Sequence, residues 1–162
     1  MTPNIDLPRL LPMPRRVDVS DGYVTLTDDR LILLDDPQPQ RLLFAAQRLQ
    51  QAMKRERGAT WGIVASAATP TELVGVTLRL SPERVPHAQG YRLRVAPKGI
   101  LGEAHDEAGL FYAVCTLCQL LHFYAWRIPC LDIEDWPDFA ARGVMLDVSR
   151  DRVPTMETLY GL

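Results

Sequence analysis

Cysteine is scarce and odd in number, three residues in a chain of 162, which argues against a disulfide framework of the kind that staples small secreted domains. Charge of one sign is also missing: 18 Lys and Arg against 20 Asp and Glu leave a net −2. No electrostatic case for nucleic acid or an anionic membrane follows, and neither is expected as a partner. Long apolar runs are absent. The richest stretch, from Leu110 to Trp126, is broken by Thr116, Gln119 and His122 and falls short of the roughly 20 residues that span a bilayer. The first residues, Met-Thr-Pro-Asn-Ile-Asp-Leu-Pro, have neither the basic nor the apolar region of a secretory leader. A cytoplasmic location is therefore the default expectation, with an extracytoplasmic one left open. No His-Glu-x-x-His, no Gly-x-Gly-x-x-Gly and no Walker-type loop occurs, so neither a zinc hydrolase nor a nucleotide site is supported. No metal or organic cofactor is expected.

What is present reads as one ordinary domain plus a fragment. About 135 residues would bury roughly two-thirds of their unfolded surface, enough for a core of their own. After an extended stretch containing Pro8, Pro12 and Pro14, Tyr23 to Thr27 and Arg30 to Leu34 read as strands joined by a turn at Asp28-Asp29. A helix is expected from about Gln40 to Arg57, with a stripe of Leu42, Ala46, Leu49 and Met53 and a stop at Gly58. Further strands are expected at Trp61 to Ser66, Leu73 to Leu80, Gly90 to Ala96 and Gly99 to Ala104, the last pair turning at Pro97-Lys98. A second helix runs from an Asp106 cap to Tyr124, with Leu110, Val114, Leu117 and Leu121 as its stripe. Two helices among about six strands predict an α+β fold, a two-layer domain of a mainly antiparallel sheet with both helices on one face.

Gly143 to Val148 is short and nearly all apolar, the pattern of a parallel strand covered on both faces. Such a strand needs parallel neighbours, and only a dozen residues follow it. Asp147, Ser149 and Arg150 sit where it runs out, the end at which barrel enzymes place their chemistry. Ile128 to Asp135 reads as the connection into this second architecture, and Pro154 to Leu162 as the start of a helix after the strand.

The stretch Ile133-Glu-Asp-Trp-Pro-Asp-Phe-Ala-Ala-Arg-Gly-Val-Met-Leu-Asp-Val-Ser-Arg150 resembles the opening of the catalytic barrel in glycoside hydrolase family 20, the β-N-acetylhexosaminidases. Leu10-Leu-Pro-Met-Pro-Arg15, Gly90-Tyr-Arg-Leu-Arg-Val95 and Ala108-Gly-Leu-Phe-Tyr-Ala-Val-Cys-Thr-Leu-Cys-Gln-Leu120 match the same family's amino-terminal domain, in its order. The resemblance implies a non-catalytic α+β domain over residues 1–136, then over 137–162 the first strand and helix start of a truncated (β/α)8 barrel. The whole protein would hydrolyse terminal β-linked N-acetylhexosamine residues of a glycan, with retention and with the substrate's acetamido group as nucleophile. The adjacent Asp-Glu pair that does this in the family has no counterpart here, so the chain itself is expected to be inactive. A different class of reading is a free-standing module that binds carbohydrate or protein.

Arg150 is the substrate-binding candidate. A planar guanidinium donates two parallel bonds, which suits adjacent hydroxyls, and the family's matching arginine holds the terminal sugar. Read from the residues alone, it is a surface arginine paired with Asp147 or Asp151. Asp147 and Arg142 flank the strand and are expected to pair with each other, orienting it or supporting Arg150. The continuation Arg150-Asp-Arg-Val-Pro-Thr-Met departs from the family's usual His-aromatic-x-Pro, which leaves the sugar open. Cys115 and Cys118 fall inside an apolar helical pattern and read as core rather than as a metal or redox pair. His87, His105 and His122 are scattered. Asp132, Glu134, Asp135 and Asp138 precede the barrel strand and read as a solvated linker. An apolar strand without neighbours also makes self-association an expectation.

Overall fold

The computed structural model describes residues 10–66, 68–147 and 153–161. Strand β1 (Arg16–Thr25) and strand β2 (Leu31–Leu34) are followed by helix α1 (Leu43–Arg57), which a single 3-10 turn at Pro39–Arg41 introduces. Leu42, Ala46, Leu49 and Met53 are all buried, as the stripe requires. Three basic residues lie in the last turn of α1, opposite the partial negative charge of the helix end. Gly58 then stops it at φ 70°, its N–H returning to the Lys54 carbonyl.

Strands β3 (Gly62–Val64), β4 (Val74–Leu80), β5 (Tyr91–Ala96) and β6 (Gly99–Ala104) come next. Helix α2 (Glu107–Tyr124), strand β7 (Arg127–Asp135) and the short helix α3 (Met156–Tyr160) complete the elements among the described residues. The sheet has seven strands in the order β1-β7-β5-β6-β4-β2-β3. Both long helices pack against one face of it and against each other, around a core that includes Ile32, Leu49, Leu78, Leu93, Leu110, Leu117 and Ile133. Burying each such side chain contributes about 1.5–3 kcal/mol. The two-layer α+β architecture read from the pattern is the one observed.

The sheet itself is mixed rather than mainly antiparallel. Pairs β1–β7, β7–β5 and β5–β6 are antiparallel, whereas β6–β4, β4–β2 and β2–β3 are parallel. Short apolar runs such as Leu31–Leu34 look alike in either sense. Connection length decides. A two-residue turn can only reverse the chain, as between β5 and β6, while the 15-residue α1 carries it back to the starting end of β2. The short connection between β1 and β2 does not pair them: the turn at Asp28-Asp29 forms, but the strands lie toward opposite edges of the sheet.

A second correction concerns residues 128–135. They are no linker but most of β7, an inner strand between β1 and β5. Ile128, Leu131 and Ile133 enter the core, while Asp132 and Glu134 point to the other face, where partners await them. Residues 141–147 form no strand, and Val144 and Met145 are 97% and 90% exposed. A parallel strand without neighbours has nowhere to place its backbone bonds, so the apolar run stays in water.

Candidate functional site

A cleft of about 560 Å³ lies where four pieces of chain meet: residues 11–15, the turn at 87–90, one side of α2, and residues 135–142. Its floor is the buried pair Tyr91 Oη and Thr116 Oγ1, 2.7 Å apart. Burial pushes the Tyr91 hydroxyl above its ordinary pKa, against the lowering effect of Thr116. Cys115 lies beside them. Gln119 closes one end by donating to the Leu11 carbonyl and accepting from the Leu11 N–H, both at 2.9 Å.

The turn at 87–90 is set by its neighbours. Asp106 caps α2 by accepting from Gly109 N at 2.9 Å, and its second oxygen takes the Gln89 N–H at 2.9 Å. Gln89 is thereby held at φ 59°, a left-handed conformation that a side chain rarely adopts. Gly109 lets the helix approach: a Cβ there would lie 2.2 Å from the Gly90 carbonyl oxygen.

Around this turn the segment that follows β7 is fastened. His87 stacks on Trp136 at 4.1 Å, and the Arg15 guanidinium lies 4.8 Å from the same ring centroid. Arg15 Nε donates to the Trp136 carbonyl at 2.9 Å, and Arg15 also pairs with Asp138. Gln89 Nε2 donates to the Ala140 carbonyl at 2.8 Å. Arg142 turns back toward Tyr112 and Gln89. It donates to the Phe139 carbonyl, to Tyr112 Oη at 2.8 Å and to Gln89 Oε1 at 3.1 Å. Arg150 lies outside the described residues. Asp147 is exposed at the end of the described stretch and has an interaction of its own.

The four acids read as a linker divide by environment. Asp132 accepts from Arg92 Nε at 2.7 Å, Arg92 Nη2 at 3.1 Å and Arg94 Nε at 3.0 Å, on the open face of the sheet. Burial alone would raise its pKa, but the Arg92 and Arg94 bonds outweigh it and hold the carboxyl below the usual range. Glu134 faces Arg92 at 3.5 Å. Asp135 walls the cleft with only backbone donors, and burial raises its pKa despite them. Farther along the same open face, Glu103 is 3% exposed yet held by Arg79 and Arg84. Most of these acids are therefore committed to arginines.

Cys115 and Cys118 are half-buried rather than core, Cys115 lining the cleft and Cys118 packing against the core; burial raises the pKa of both, Cys118 to about 11. The histidines do not converge. His105 donates to the Val85 carbonyl and His122 pairs with Glu56. Among the described residues no group of His, Cys, Asp or Glu could hold a metal ion, and no helix is long and apolar enough to cross a membrane.

The cleft as a unit was not read from the sequence. Its one signal was the pair of stretches 10–15 and 133–138, each matched separately to the family, which the fold sets side by side.

Comparison with known proteins gives the context. Residues 7–136 match the model of glycosyl hydrolase family 20, domain 2. The N,N'-diacetylchitobiase of Vibrio harveyi is 30% identical over 143 residues, which is 88% of this chain and 15% of the relative. A β-N-acetylhexosaminidase of Cellulomonas fimi is 28% identical over 161 residues, 94% of this chain and 31% of the relative. Among solved structures, Flavobacterium johnsoniae chitobiase superposes with a TM-score of 0.72 at 25% identity, covering 90% of this chain and 23% of its own. Streptomyces plicatus β-hexosaminidase, in complex with the product N-acetylglucosamine, gives 0.67 at 30% identity, covering 88% and 29%. The chain spans less than a third of the length of each of these relatives. With the family model covering most of its length, and the fold shared, this chain belongs to glycosyl hydrolase family 20.

Proposed function

We propose that the chain is the amino-terminal part of a β-N-acetylhexosaminidase whose chemistry lies in a barrel beginning after residue 136. The observation that carries this is the match of residues 7–136 to the family's domain 2; the relatives named as hexosaminidases and chitobiase point the same way. In this reading Gly143 to Val148 is the first barrel strand and Pro154 to Leu162 the start of its helix. The complete protein removes terminal β-linked N-acetylhexosamine from a glycan. The acetamido group of the substrate acts as nucleophile and a glutamate of the missing barrel protonates the leaving oxygen. Arg150 holds two sugar hydroxyls through its fork, with Asp147 and Arg142 in supporting roles. The carbohydrate-binding alternative gains little from the cleft, because His87 and Arg15 lie on the Trp136 ring and Arg142 on that of Tyr112.

The test is hydrolysis of an aryl N-acetyl-β-glucosaminide. The 162-residue chain is expected to show no turnover above background, and the complete protein to show it. Arg150→Lys in the complete enzyme keeps the charge and loses the fork. Charge-assisted bonds are worth roughly 1.5–3 kcal/mol each, so kcat/KM is expected to fall at least about tenfold. Unchanged kinetics would return Arg150 to a surface ion pair. Turnover that copurifies with the 162-residue chain would overturn the placement of chemistry in the missing barrel.

A further inference from the structure

We propose that the turn at 87–90 and the start of α2 form a latch on residues 136–142, giving this domain the task of aiming the segment that follows it. Gln89 and Arg142 are its positioning residues.

Segments that merely connect domains make few contacts with either and move freely. Residues 136–142 do the opposite. Their carbonyls at Trp136, Phe139 and Ala140 each accept from a long side chain: Arg15, Arg142 and Gln89. Two of those donors come from far away in sequence, so the fastening is tertiary rather than a local turn. Arg142 closes the loop by reaching both Gln89 Oε1 and Tyr112 Oη. Gln89 is thus bonded to the segment at two places, residues 140 and 142.

The backbone of Gln89 shows that this is a fixed arrangement. A non-glycine residue at φ 59° persists only where its surroundings over-determine it, and such residues gather at clamps and switch regions. Here the helix cap is the surrounding: Asp106 holds the Gln89 N–H, and Gly109 admits the adjoining Gly90 carbonyl. A rigid line therefore runs from α2 through its cap to Gln89 and on to Ala140 and Arg142. Arg150 lies eight residues beyond Arg142, close enough for the exit direction to limit where it goes. That last step rests on the hexosaminidase reading; the latch does not.

Backbone nitrogen-15 order parameters of the 162-residue chain test the latch. Ala140, Ala141 and Arg142 are expected near 0.85, the value of rigid backbone, and below about 0.6 in Gln89→Ala and Arg142→Ala, with β5 and β6 unchanged. Tyr112→Phe removes only a hydroxyl, and in it the same amides are expected to loosen. Low values in the wild type, or rigid amides in all three variants, would overturn the latch. In the complete enzyme Arg142→Ala is expected to raise KM at least about fivefold with kcat nearly kept, the mark of lost uniform binding, and Arg142→Lys to recover part of it. A KM equal to wild type overturns the aiming role. Absence of hydrolysis by the wild-type enzyme counts against the hexosaminidase reading alone and leaves the order parameters to decide the latch.

Discussion

Two aspartates three positions apart on β7 respond to their surroundings in opposite directions. Asp132 is depressed because Arg92 and Arg94 outweigh its burial, so it contributes stability above its unfolded pKa of about 4 and loses it as pH falls through the lower folded value. Asp135 is raised by burial in the cleft wall. Its folded form holds the proton more readily, so its contribution is present below about pH 4 and declines as pH rises through the folded value. Asp132→Asn is expected to cost about 1–2 kcal/mol at pH 7, a penalty that fades in acid. Asp135→Asn is expected to raise stability at pH 7, because the amide carries no charge to desolvate and its oxygen still accepts from Arg15 N. Urea unfolding of both variants from pH 3 to pH 7 checks this. Penalties of the same sign at every pH would show that the arginines on the open face do not distinguish the two positions.

At the scale of elements, one carboxylate joins a helix start to a turn. Asp106 satisfies both Gly109 N and Gln89 N. Asp106→Ala removes a cap worth about 1 kcal/mol and leaves a second donor unpaired at about 1–3 kcal/mol. A loss of roughly 2–4 kcal/mol is expected from these two parts, and Asp106→Asn, with one amide oxygen, should fall between wild type and alanine. Gly109→Ala meets backbone rather than a flexible side chain, so it should cost at least as much, whereas Gly58→Ala has open space and loses only about 1 kcal/mol of conformational ease. Denaturant midpoints rank the four variants. If Gly58→Ala proved the worst, the close approach of α2 to the 87–90 turn would not be the constraint inferred here.

For the whole molecule, the core is built from residues between Leu10 and Ile133. Residues 143–147 are exposed and α3 buries nothing. Ending the chain after Arg142 should therefore leave the thermal midpoint within about 2 °C, while ending it after Trp136 removes the Asp138, Ala140 and Arg142 contacts and should lower it further. Calorimetry of the two truncations gives the comparison; equal midpoints would mean that the fastening of residues 136–142 adds no stability to the domain.

Much of this architecture was readable from local pattern. The α1 stripe and its Gly58 stop, the Asp106 cap, the alternation of Tyr91, Leu93 and Val95 with Arg92 and Arg94, and the turn at Pro97-Lys98 all depend on residues a few positions apart. Nearest-neighbour physics determines them, and the family motifs, being contiguous strings, were equally visible. Strand order, the parallel half of the sheet, the place of β7 inside it and the cleft were not. Each depends on which distant segments share an edge or a face, and Ile128 to Asp135 carries no mark of the two strands that flank it. Arg142 shows the difference most plainly. Its bonds to Tyr112 and Gln89 span 30 and 53 positions, and only the tertiary structure brings those partners to it.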